Sequence, residues 1–174
     1  MVEIQLRRAT PEDAAALAAV EVNCWRVAYR GLMPDAFLDG LSETEKATAW
    51  RQNLLKHGLS GRKRVWVAPG DTGIAGFVRV GPVMDESEVG LIYLLYVLPE
   101  HWRRGLGTAL MQAGMQELWD LGMREAILWV LRDNLRAQRF YEQLGWTPDG
   151  RTVSEDYGDT LLEALCYRRL VDVS

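Results

Sequence analysis

Eight apolar and aromatic residues in a row, Leu91–Leu98, run straight into PEHWRRGLGTALM, Pro99 to Met111. The run is apolar enough for a strand buried on both faces. It is far short of the ~20 residues a membrane helix needs. From Arg103 to Leu121 the period changes to that of a helix, with Leu106, Leu110, Ala113 or Gly114, and Leu118 on one side and Gly122 as the closing glycine. A buried strand that turns sharply into a helix brings that helix's N-terminus to the sheet. The first four N–H groups of a helix have no partner within it, and the macrodipole adds partial positive charge there. Such a junction suits an anion, above all a phosphate. Gly105 and Gly107 let a ligand approach the main chain, and Arg103 and Arg104 add formal charge.

The rest of the chain supplies the elements around this junction. EIQLRRA (3–9) alternates like a first strand, and Thr10-Pro11-Glu12-Asp13 opens a helix running to about Tyr29. Gly31 and Pro34 interrupt it, and SETE (42–45) is a capping box for a second helix through about Lys56. Residues 64–68 and 74–80, joined by PGDTG, form a hairpin, and GPVMDESE (81–88) is a loop. EAILWVL (125–131) is a strand, Asn134 to Leu144 a helix closed by Gly145, and 146–153 and 160–170 two further strands. The expected architecture is one α/β (α+β) domain over 1–174. Its sheet is mixed but mostly antiparallel, of six or seven strands, flanked by about four helices.

Composition narrows the function. A net charge of −4 argues against a broad nucleic-acid surface. His57 and His101 stand alone, so no metal site is expected. Cys24 and Cys166 form no C-x-x-C pair and read as reduced cytoplasmic thiols. The N-terminus lacks the pattern of a secretion signal, and no segment is expected to enter a membrane.

A Walker loop would need a Lys after its second glycine, and a dinucleotide fingerprint a glycine where Leu110 stands, so a nucleotide-binding α/β domain is the third-ranked reading. YVLPEHWRRGLGTALM instead resembles the acetyl-CoA motif of the GNAT acetyltransferase superfamily, a strand ending in V-x-P followed by Q/R-x-x-G-x-G/A. NLRAQRFYEQLGW (134–146) resembles that family's second motif, and WRVAYRGLMPDAFLDGL (25–41) its substrate-side helices. The likeness covers nearly the whole chain, with one departure: Trp102 occupies the Q/R position.

The resemblance implies a splayed strand pair that holds CoA. Leu95, Tyr96 and Val97 would face the pantetheine arm, with an oxyanion donor among their N–H groups. Residues 103–108 (Arg103, Arg104, Gly105, Leu106, Gly107, Thr108) would hold the pyrophosphate, and Asn134, Ala137 and Phe140 would complete the cofactor site. Tyr141 would be the general acid that protonates the departing thiolate. The bland alternatives are a capping Asn134 and core aromatics at Phe140 and Tyr141. Where many members carry a glutamate on the strand, this chain has Leu91. Glu88 lies too far along the strand, so the base is unassigned. Tyr93 is the best placed candidate, followed by Tyr29 and the acids of SEDY (154–157). Trp25 and Tyr29, at i and i+4, could line an acceptor pocket with Tyr93, or serve as core. The DESE cluster (85–88) could attract cations, or be a solvated loop.

The implied activity is acetyl transfer from acetyl-CoA to a small-molecule or peptide amine. The second reading is a module that binds acetyl-CoA without turnover. Seven tryptophans suggest a homodimer interface.

Overall fold

The computed structural model describes residues 4–57, 61–84, 88–157 and 160–172. Seven strands form one sheet: β1 (Arg7–Arg8), β2 (Arg64–Gly70), β3 (Gly73–Pro82), β4 (Val89–Val97), β5 (Glu125–Leu131), β6 (Thr147–Tyr157) and β7 (Thr160–Leu170). Their order is β1-β2-β3-β4-β5-β7-β6, and every neighbouring pair is antiparallel except β4–β5. The five α-helices of the described residues are α1 (Ala14–Ala28), α2 (Asp35–Asp39), α3 (Glu43–His57), α4 (Leu106–Asp120) and α5 (Leu135–Gln143). The single parallel pair follows from α4, because a helix between two strands returns the chain to the same end of the sheet.

Alternation along the strands sorts the core into two layers. Val78, Val80, Ile92, Ala126, Leu128 and Val130 pack under α4 with Leu110, Met111 and Leu118. Val67 and Phe77 face the other way, against Leu17 and Val20 of α1 and Trp50 and Leu54 of α3. Two buried carboxylates tie these layers down. Glu117, 4% exposed, accepts from Arg8 and from the Trp66 indole. Glu21, 5% exposed, accepts from Lys46 and from the Trp50 indole. A buried charge needs such partners, since an unpaired one would cost several kcal/mol.

Several boundaries differ from the sequence reading. The first strand shortens to Arg7–Arg8. β3 runs on to Pro82, and the 85–87 part of the DESE cluster lies outside the described residues. α2 is an extra helix. Pro34, read as a breaker, is its N-cap at φ −57°, and five residues are too few for periodicity to show. The Thr10 capping box is present, but its first turn is 3₁₀ before α1 begins. Two of the seven tryptophans counted toward an interface lie in the core, while Trp119 and Trp129 are exposed. Trp50 and Trp146 are buried, and Trp66 is bonded to Glu117.

Candidate active site

β4 and β5 pair only from Val89↔Glu125 to Ile92↔Leu128. On the other side of β4 the register with β3 shifts: Arg79 pairs with Leu94 and Val80 with Ile92, leaving Tyr93 as an extra residue. This bulge bends β4, as bulges do. β5 does not follow, because β7 holds it along its whole length from Glu125 to Leu131. A gap therefore opens between the upper halves of β4 and β5.

The hydrogen-bond phase of β4 decides what faces the gap. The Leu98 N–H donates to the Ala75 carbonyl at 2.8 Å. Antiparallel ladders alternate bonded and non-bonded pairs, so Leu94 and Tyr96 also bond toward β3. Leu95 and Val97 then turn their main-chain groups into the gap. The Val97 carbonyl is already occupied. The Trp102 indole donates to it at 2.6 Å and the Cys24 thiol at 3.3 Å. Its N–H stays directed at the gap.

The turn after β4 is a 3₁₀ segment, Pro99–His101, then extended Trp102, Arg103 at φ 60° and Gly105 at φ 80°. The sequence pattern placed the helix start at Arg103. The positive φ values delay it to Leu106, and the turn gains depth. The first bond inside α4 is Ala109 N–H to the Gly105 carbonyl, 3.0 Å. The N–H groups of residues 106–108 thus emerge from the first turn at the mouth of the gap. Gly107 sits under α5, where a Cβ would meet the Phe140 ring at 3.2 Å.

α5 forms the other wall. Asn134 caps it, its side-chain oxygen accepting from the Ala137 N–H at 3.2 Å. Tyr141 packs edge-on against Phe140 and Trp146. Burial pushes its phenol well above the ordinary value. From the opposite face, α1 contributes Cys24, Ala28 and Tyr29. The Trp25 indole donates to the Tyr96 hydroxyl at 2.8 Å, with Tyr29 beside it, and burial raises both phenols.

Together these walls enclose a cleft of about 550 Å³. Leu95, Tyr96, Val97, Arg103, Gly105, Leu106, Gly107, Thr108, Asn134, Ala137, Phe140, Tyr141, Tyr29 and Tyr93 line it. Arg104 is not among its lining residues. Trp25 stands behind Tyr29, in an aromatic cluster with Phe37 and Tyr157.

Tyr93 is the bulged residue, and its hydroxyl donates to the Pro82 carbonyl at 2.8 Å while Lys63 and Arg79 lie over its ring. Its phenol is raised by burial, which works against a role as base. The Glu155 carboxylate is bonded to Tyr157. Among the described residues, no aspartate or glutamate lines the cleft. Several lining residues were missed from sequence, among them Trp129 and Arg136. Trp129 is 38% exposed in the gap. The alternation of EAILWVL could have found it, since Ala126, Leu128 and Val130 take the core face. Arg136 lies flat on Trp102, its Cζ 3.4 Å from the ring centroid. No local signal in the sequence shows that pair.

Both cysteines are free and buried. Burial pushes the Cys24 thiol up to about 12 and, with a hydrogen bond to Asp149, Cys166 to about 11. The thiolate is the reactive form. Native protein at pH 8 is therefore expected to show no thiol reactive toward a disulfide reagent until denaturant is added. Fast labelling of a native cysteine would contradict the burial.

The model of the acetyltransferase (GNAT) family matches residues 25–146. The uncharacterised N-acetyltransferase YuaI of Bacillus subtilis is 32% identical over 134 residues, 75% of this chain and 73% of its own. An uncharacterised N-acetyltransferase of Archaeoglobus fulgidus is 34% identical over 143 residues, 79% of this chain and 89% of its own. Among solved structures, the PaiA N-acetyltransferase of Thermoplasma acidophilum in complex with coenzyme A superposes with a TM-score of 0.79. It is 18% identical, covering 97% of this chain and 99% of the other. YncA of Salmonella typhimurium, solved with its cofactor acetyl-CoA, gives 0.72 at 18% identity over 99% and 96%. At such identities the two structures speak for the fold.

Proposed function

Because this chain belongs to the acetyltransferase (GNAT) family, we propose that it moves acetyl from acetyl-CoA to a primary amine by direct attack, with both substrates in the β4–β5 cleft. The observation that carries this reading is the gap itself. It presents the main-chain groups of Leu95 and the N–H of Val97 between the N-terminus of α4 and the Tyr141 phenol. An extended amide-bearing arm can occupy the missing rungs, and a phosphate can lie on residues 103–108. The volume and donor set of the cleft fit acetyl-CoA, which supplies a thioester-activated acyl group.

The residues of the chain then divide the work. The N–H groups turned into the gap donate to the acetyl oxygen as negative charge develops on it. The amine nitrogen forms its bond to the acetyl carbon, the C–S bond breaks, and Tyr141 gives its proton to the leaving thiolate. The nitrogen loses a proton to water and Tyr141 is reprotonated. With no carboxylate lining the cleft among the described residues, the acceptor enters as the neutral amine. An ordinary alkylamine, with pKa near 10.4, is neutral to about one part in a thousand or less at pH 7. An α-amino group, near 8, is neutral to roughly a tenth. This favours acceptors of lower basicity, whether small molecules or peptide N-termini. Free, buried cysteines suit a cytoplasmic enzyme.

The test is CoA release from acetyl-CoA across amine classes: amino acids, peptide N-termini, arylamines and polyamines. Release that depends on an amine, together with an acetylated product of the right mass, is the expected result. Tight CoA binding with no transfer to any class would overturn the catalytic reading.

A further inference from the structure

Arg136 is a cation with no counter-charge. It stands in the first turn of α5, exposed in the cleft, and among the described residues no ion pair reaches it. Several other arginines are ion-paired, as Arg7 with Asp13, Arg30 with Asp35 and Asp39, and Arg132 with Glu163. What holds Arg136 is a ring. Its guanidinium lies 3.4 Å from the centroid of Trp102, and Trp102 is itself fixed by its indole bond to the Val97 carbonyl. Stacking suits arginine, because the guanidinium face is weakly hydrated while its N–H donors point outward in the plane. The charge is thus held in place with its donor rim free.

The location says what the rim is for. Trp102 precedes Arg103 and the open N–H groups of residues 106–108, and all of these line the same cleft. The Arg136 charge therefore adds to an electropositive mouth. A planar fork of donors matches a phosphate in two-point contact. We propose that Arg136, positioned by Trp102, is a phosphate ligand that holds the diphosphate of acetyl-CoA from the α5 wall. The inference rests on the acetyl-CoA reading of the cleft and assigns one residue within it.

The experiment measures binding of CoA by calorimetry at two ionic strengths, and of phosphate-free pantetheine by NMR titration. The proteins compared are the parent, Arg136→Gln, Arg136→Lys and Trp102→Leu. Arg136→Gln is expected to weaken CoA about tenfold, the usual size for one charged hydrogen-bond contact, and to flatten its salt dependence. Pantetheine affinity should not change. Arg136→Lys should recover part of the loss, and Trp102→Leu should weaken CoA in the same direction but less. The proposal is overturned if Arg136→Gln binds CoA with parental affinity and salt slope, even if it raises the KM of an amine acceptor. It is also overturned if CoA and pantetheine weaken equally, which would make Arg136 part of the arm's channel. A parent that binds no CoA would instead reject the acetyl-CoA reading on which the proposal stands.

Discussion

Tyr141→Phe is expected to lower turnover about 100-fold, the low end of what a positioned general acid contributes, while CoA affinity and thermal stability stay near parental. The variant keeps the ring, and with it the edge contacts to Phe140 and Trp146. It removes only the hydroxyl proposed to donate as the C–S bond breaks, so kcat should carry the loss. The same burial fixes the expected pH dependence. Burial holds the Tyr141 phenol protonated well past its ordinary range, so no alkaline limb from this group is expected below about pH 10. On the acidic side kcat/KM for the amine should rise tenfold per pH unit as the acceptor loses its proton, levelling at the acceptor's own pKa. Single-turnover acetyl transfer and its pH profile check both statements. Parental turnover in Tyr141→Phe, with chemistry limiting, would leave Tyr141 a packing residue.

Gly105→Val should weaken CoA binding about 100-fold. Gly105 sits at φ 80° as the N-cap of α4, a conformation that costs an ordinary L-residue about 1–2 kcal/mol and a β-branched one more. Space within the protein is not the obstacle, since the nearest atom to a Cβ there is Ile4 Cδ1 at 3.9 Å. The strain relaxes by rotating the turn, which misdirects the N–H groups of residues 106–108, and the valine methyls block approach to the main chain. Gly122→Val is the control. That glycine has φ 84° and nothing within 4 Å, and it closes α4 at the end away from the cleft. Both variants should lose several degrees of Tm, and only Gly105→Val should lose CoA. Equal CoA affinity in the two would remove the turn from the binding site.

Much of this arrangement was legible from local pattern. The strand through Leu98, which the open gap leaves mostly half-buried rather than buried on both faces, the glycines of the turn, the Asn134 cap and the helix carrying Phe140 and Tyr141 each depend on residues a few places apart. Period, cap and turn chemistry act over that range. The open N–H groups at the start of α4 follow from the same local rules.

Other features depend on which strand lies beside which. The gap opens because the bulge at Tyr93 bends β4 away while β7 holds β5 along its length, and no residue in LIYLLYVL announces it. The Tyr93 hydroxyl belongs to Pro82 because the extra residue turns it toward β3, which removes the candidate that extended spacing favoured as base. Trp129 faces the gap only because β5 has lost its partner there. Arg136 meets Trp102 because α5 packs on the first turn of α4 through Phe140 and Gly107. The residues of this chain by themselves determined the elements, the turn and the chemical types available to a cofactor. The gap between β4 and β5, the absence of a carboxylate from its described walls and the seating of Arg136 were decided by tertiary packing. Hydrogen-bond phase and contacts between distant segments are set only once the sheet is assembled.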